Sequence, residues 1–214
     1  MTDNPGRPAA EAPARTAPSP APGRLRWIEE LVNTRSVETG SDEIPTPALL
    51  GNWLRDRRLL PAGVPVTADE HDRAVRIRAG LRELIAANNA GPAAGNHAHG
   101  SRASRRVISG PALADLAGLA RRLPLVLDVD GRRPCLLPVS RGTADTVLAA
   151  LLAAVAESVA SGTWDRLKIC RNPDCRWAYY DQSRNLSRAW CSMAVCGNRA
   201  KARAFRSRSR QWPE

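Results

Sequence analysis

Leu25, Ile28, Leu31 and Val32 recur at intervals of three and four, the spacing that gathers apolar side chains on one helix face. A second helix begins with Thr46 as cap and Pro47 in its first position, and Leu49, Leu50, Trp53 and Leu54 form its stripe. A third opens on a capping box, Thr67 to Glu70, and carries Ala74, Ile77, Leu81, Leu84 and Ile85. A glycine-rich loop over roughly 90–102 follows. Ser109 and Pro111 then open a shorter helix with Leu113, Leu116 and Ala120 inward.

The period changes at LPLVLDVDGRRPCLLPV, 123–139. Two short apolar runs around Asp130-Gly131 predict a β-hairpin. Asp128 and Asp130 share one strand face, but the turn explains Asp130 better than acid–base catalysis does. Thr143 or Asp145 caps a further helix with Leu148, Leu151, Leu152 and Val155 inward, ended by Gly162. Residues 25–162 thus predict one mainly helical domain with an inserted hairpin. Residues 1–24 hold six Pro and six Ala without a hydrophobic period and predict a disordered tail. Residues 163–210 are different in kind.

Composition supports a mainly α chain: 43% of residues are hydrophobic, much of that Ala and Leu, and only 4% are aromatic. The longest apolar run, Val147–Ala156, is far short of a bilayer span, and no signal-peptide pattern is present, which predicts a soluble cytoplasmic protein. Charge is uneven. Residues 164–214 hold 12 Lys/Arg against four acidic residues, while residues 1–163 hold 20 against 17. A field concentrated in the last quarter of the chain attracts polyanions; a solvated tail is the plainer alternative.

That same quarter holds Cys170, Cys175, Cys191 and Cys196, spaced C-x4-C, fifteen residues, C-x4-C. Two short cysteine pairs at this separation are a zinc signature, since each pair wraps one edge of a tetrahedron. Free or disulfide-bonded thiols are the alternative and suit a reducing compartment poorly. Four cysteines fill the shell, so the predicted zinc is structural, and it leaves the segment at about +6. CRNPDC reads as a tight knuckle, and 177–190 predict a hairpin turning near Asn185. Cys135 is read as a small buried side chain. Seven of the nine aromatics lie here, with Trp177, Trp190 and Phe205 the expected core and base stacking the alternative.

After Cys196 the chain predicts a basic helix. Arg199, Arg203, Arg206 and Arg210 fall within about 60° of one another, with Phe205 on another face. The expectation is Phe205 packed inward and the arginine stripe outward, with Arg184 and Arg188 adding phosphate contacts. Such a stripe repels itself, and a polyanion relieves that repulsion.

CRNPDCRWAYYDQSRNLSRAWCSMAVCGNRAKARAF resembles the CGNR zinc-finger family, with Cys196-Gly197-Asn198-Arg199 as its tetrapeptide. Asp181, Ser183, Arg184 and Asn185, then Arg188, Trp190, Cys191, Ser192 and Met193, match its other blocks. Leu31-Val32-Asn33-Thr34 and the elements after it resemble an ABATE-type domain. The resemblance implies zinc on Cys170, Cys175, Cys191 and Cys196 and a stress-induced bacterial transcription regulator. The chain departs from the pattern in its Pro/Ala-rich start and in the loop with His97 and His99, and His71 is a poor third ligand.

The resulting expectation is a mainly α chain: a helical domain with its inserted β-hairpin, plus a small treble-clef-like four-cysteine zinc module of knuckle, hairpin and helix. One structural zinc would position the helix on double-stranded DNA. A protein-interaction adaptor meeting an acidic surface, and an RNA binder, stay open. The helical domain is compatible with a homodimer or an unidentified small ligand, and its sequence shows neither. No nucleophile–base signature, Gly-Lys phosphate cradle or open metal site argues for an enzyme.

Overall fold

In the computed structural model, which describes residues 19–90, 110–129, 134–139 and 141–209, the helix starts follow local capping chemistry. The first part is built from α1 (Leu25–Asn33), α2 (Pro47–Asp56), α3 (Ala68–Ala86), α4 (Pro111–Ala120) and α5 (Ala144–Ala160). The Thr46 hydroxyl accepts from the Leu49 amide at 3.3 Å. Thr67 and Glu70 close a reciprocal capping box at α3, and Thr143, not Asp145, caps α5. Asp145 instead takes both Nε and Nη2 of Arg73, at 2.9 and 2.7 Å, tying the starts of α3 and α5 together. Ser109, the loop with His97 and His99, and the Asp130-Gly131 turn lie outside the described residues. The ring of His71 bonds the Ile44 carbonyl at 2.8 Å.

The apolar faces of these five helices point inward as the periodicity predicts, with one exception. Leu49 is 42% exposed, because it sits at the margin of the Leu50–Trp53–Leu54 stripe in the first turn of α2. Of the predicted tail, residues 1–18 lie outside the described residues, and residues 19–24 precede α1. Ala21 is buried and its amide donates to the Glu29 carboxylate at 2.7 Å. The strands β1 (Leu125–Asp128) and β2 (Cys135–Pro138) pair antiparallel, Leu125 opposite Pro138, and β2 packs on α5. Cys135 is half-buried there.

α3 meets α4 closely at Gly80. A Cβ at that position would lie 2.6 Å from the Leu116 Cβ and 2.8 Å from the Ala112 carbonyl oxygen, and the backbone of α4 cannot step aside. Gly80→Val is therefore expected to cost about 2 kcal/mol by overpacking, read as a lower midpoint in urea unfolding.

The connection from α1 to α2 is held down from α3. The buried Arg78 donates to both Asp42 carboxylate oxygens at 2.7 Å and to the Thr34 hydroxyl at 2.9 Å. These bonds hold the Asp42 carboxyl below its ordinary range. Arg82 donates to the Val32 and Arg35 carbonyls. Together they fix the loop that carries Glu38.

The rest of the chain builds on the same core. β3 (Leu167–Ile169) and β4 (Ala178–Tyr180) pair antiparallel, and α6 (Asn198–Ser209) follows. Trp164, Leu167, Ile169, Ala178 and Tyr180 belong to one buried cluster with the residues of α1 and α3. Side-chain amides satisfy backbone groups along the two strands. Asn33 bonds both the N–H and the C=O of Ala178, at 2.8 and 2.9 Å. Asn89 does the same for Ile169, at 3.1 and 2.7 Å. Asn88 donates to the Trp164 and Leu167 carbonyls. An asparagine amide offers a donor and an acceptor side by side, so Asn33 and Asn89 each stand in for a neighbouring strand.

Candidate metal centre

The first cysteine pair sits in the turn joining β3 to β4. The Cys170 amide donates to the Trp177 carbonyl at 2.8 Å, and the Cys175 and Arg176 amides both donate to the Asn172 carbonyl. Arg176 takes a φ of 47°, the left-handed step that closes the knuckle. The second pair flanks a wide turn. The Ser192 hydroxyl accepts from the Val195 amide at 3.3 Å, and the Ser192 carbonyl accepts from the Cys196 and Gly197 amides. α6 therefore starts directly from the last cysteine.

The segment between the pairs corrects the predicted hairpin over 177–190. β4 pairs with β3, upstream of the knuckle, and residues 181–190 form an irregular loop. Its organiser is Asp181. That fully buried carboxylate accepts from Lys168 Nζ at 2.8 Å, from the Ser183 hydroxyl at 2.6 Å, and from the amides of Ser183 and Arg188 at 2.9 and 3.0 Å. Burial alone would raise the Asp181 carboxyl, but Lys168 and Ser183 outweigh it and hold it below its ordinary range. A side chain that satisfies two amides removes the need for a ladder there. The Tyr179 hydroxyl closes the loop by donating to the Arg188 carbonyl at 2.6 Å.

All four thiols are buried and unbridged, and their Sγ atoms lie within 4.8 Å of one another. Cys175 to Cys191 is 3.6 Å and Cys191 to Cys196 is 3.8 Å. A disulfide needs about 2.05 Å. A tetrahedron with metal–sulfur bonds of about 2.3 Å has sulfur–sulfur edges of about 3.8 Å, so the donor set fits one zinc. Protonation points the same way. Hydrogen bonds from Cys175 and Cys191 hold the Cys170 thiol below its ordinary range, while the hydrogen bonds Cys191 makes to Cys170 and Cys175, together with burial, push the Cys191 thiol up. A divalent cation is what lets the remaining thiols ionise.

Asn172 links the cluster to α6. It is buried in the knuckle, its Nδ2 donates to Cys196 Sγ at 3.9 Å, and its Oδ1 accepts from Arg203 at 2.8 Å. Arg203 also reaches Asp174 at 3.3 Å, and Arg199 pairs with Glu38 at 2.6 Å. These contacts turn α6 about half a revolution from the predicted setting. Phe205 is 66% exposed, and it shares the outward face with Lys201 and Arg208. One phenyl ring loses the competition against three polar partners for the inward side. The core aromatic of the cluster is Tyr179, with Trp177 and Trp190 packed partly against it.

The other cationic candidates divide as follows. Arg188 is internal, donating to the Trp190 and Cys191 carbonyls and lying 5.0 Å over the Tyr179 ring. Arg184 and Arg206 are exposed, as are Lys201 and Arg208. Arg210 lies outside the described residues. Sequence reasoning missed Asn172, Asp181 and Lys168 as supports of the site. Two signals were present: Asp181 opens one of the blocks that carry the family resemblance, and Lys168, one of only two lysines, sits between Leu167 and Ile169.

Two family models match the chain. The CGNR zinc finger covers residues 166–209. The ABATE family, described as "Putative stress-induced transcription regulator", covers residues 25–162. No curated protein matches the chain at a significant level. No described helix is long and apolar enough to cross a membrane.

Proposed function

The chain belongs to the ABATE family and carries a CGNR zinc finger with one structural zinc, and on that premise we propose that it is a DNA-binding regulator whose zinc site aims α6 at the duplex. Cys170, Cys175, Cys191 and Cys196 hold the ion in this reading. With all four positions of the shell taken by sulfur, the ion supplies rigidity and no open coordination site. Asn172 passes that rigidity to Arg203 and so to the helix.

One observation carries the reading. α6 leaves the cysteine cluster as an exposed helix with Arg199, Lys201, Arg203, Arg206 and Arg208 and no acidic residue. A major groove admits a helix of this diameter. Lys201 and Arg208 reach phosphates from the outward face, where Phe205 offers apolar contact to thymine methyl groups, and the exposed Arg206 reaches them from the other side of the helix. Arg199 and Arg203 set the rotation of the helix against the protein. Arg184 is a further cation for the backbone.

Three phosphate contacts give a slope of log affinity against log salt of about −2.7 on duplex DNA. Fluorescence anisotropy over a salt series measures it. A flat response, or preference for RNA in competition, would overturn the duplex assignment. Affinity for an acidic protein that survives nuclease treatment, with no measurable DNA binding, would favour an adaptor.

A further inference from the structure

A cavity of about 550 Å³ lies at the root of α6, between the 36–43 loop, Trp177 and the first turn of the helix. Trp177, Ala194 and Val195 give it an apolar side, and Glu43 with the hydroxyl-bearing loop gives it a polar one. The Glu38–Arg199 pair forms part of its wall. A smaller lobe of about 330 Å³ shares Asn33, Glu43 and Trp177 and adds Glu29, Glu30 and Arg57.

The electrostatics of this space oppose those of the molecule. Its two lobes set four carboxylates against two guanidinium groups, in a chain of net charge +11. Glu38 is held by Arg199, and Glu30 by Arg57 at 2.5 Å. The Glu43 carboxylate makes no hydrogen bond or ion pair among the described residues, although it borders both lobes. A volume of this size, with an apolar wall and a few polar groups, is that of a small-molecule site. An indole beside an unpaired carboxylate recognises an organic ammonium, which gains the ion pair and the ring face together.

We infer that this cavity binds a small organic ammonium compound, its cationic head on Glu43 and its apolar body against Trp177 and Val195, and that occupancy loosens Arg199 from Glu38. The site rests on the cavity alone. Its consequence rests on the DNA-binding reading. A cation seated among these carboxylates competes for Glu38 and repels Arg199. Arg199 lies on the face of α6 that continues to Arg203 and Arg206, so its release adds one phosphate contact.

The test uses the full zinc-loaded chain and benzylammonium chloride, followed by amide and indole proton–nitrogen spectra. Saturable shifts are expected at the Trp177 indole and the Asn33 side-chain amide. Benzyl alcohol, which has the same ring without the charge, is expected to bind at least tenfold more weakly. Glu43→Gln is expected to weaken benzylammonium by a similar factor while keeping its melting temperature, since Glu43 is exposed. Equal binding of the alcohol, unchanged affinity in Glu43→Gln, or no saturation would overturn the site. In the DNA assay, saturating benzylammonium at matched chloride is expected to steepen the salt slope by about 0.9. An unchanged slope with intact amine binding would overturn the coupling. A chain that binds the amine and no duplex overturns the proposed function and leaves the cavity assigned.

Discussion

Stripped of zinc by a chelator, the chain is expected to lose the β3–β4 knuckle and the setting of α6 together, and to melt in one transition well below that of the loaded protein. The magnitude follows from the thiols. Four buried sulfurs within 4.8 Å of one another cannot all ionise without a cation, and apparent zinc-binding free energies of structural sites are on the order of 10 kcal/mol. That is comparable to the whole stability of a domain. The transition is expected to be single because Trp164, Leu167, Ile169, Ala178 and Tyr180 belong to the core shared with α1 and α3. Acid acts in the same direction, since protons compete with the metal for thiolates. Circular dichroism on heating, with metal content measured on each sample, checks this. A chelated, metal-free sample with the melt of the loaded one would contradict it.

Asp181→Ala is expected to cost about 3–5 kcal/mol, the second-largest effect. Lys168 and Asp181 pair at 2.8 Å with side chains 4% and 0% exposed, so removing the carboxylate strands a buried ammonium and two backbone amides. Asp181→Leu combined with Lys168→Met is expected to be less damaging than either single change, because no charge is left unpaired. The pH sign follows from the lowered Asp181 carboxyl. A group with a depressed folded value contributes its full stability above the ordinary carboxylate value of about 3.9 and loses it as pH falls through the folded value. Urea unfolding at neutral and at acid pH measures both effects. Asp181→Ala is expected to lose less stability than the wild type across that acid window.

These two supports show how far the sequence is legible. Thr46, Thr67 and Thr143 act within three residues of themselves, and the structure finds each cap where local chemistry put it. The four cysteines were legible for the same reason, since their spacing encodes the reach of a short loop around one ion. The pairing of β4 was not. Its partner is set by a buried aspartate and by Asn33, whose amide meets Ala178 across 145 residues. The rotation of α6 was illegible for a related reason. Helical spacing shows which side chains share a face, and it does not show which face meets the protein. Glu38, 161 residues away, and Asn172 in the knuckle decide that.

The measurement that bears most directly on a zinc-aimed helix is duplex-DNA anisotropy on three samples. They are the zinc-loaded chain, the zinc-loaded Lys201→Ala/Arg206→Ala/Arg208→Ala variant, and the chelated chain. The loaded chain is expected to show a log–log salt slope of about −2.7, and the variant to lose that slope while keeping its melt. The chelated chain is expected to lose tight binding. A variant with the same affinity and slope as the wild type, or a metal-free chain that binds as the loaded one does, would contradict the claim.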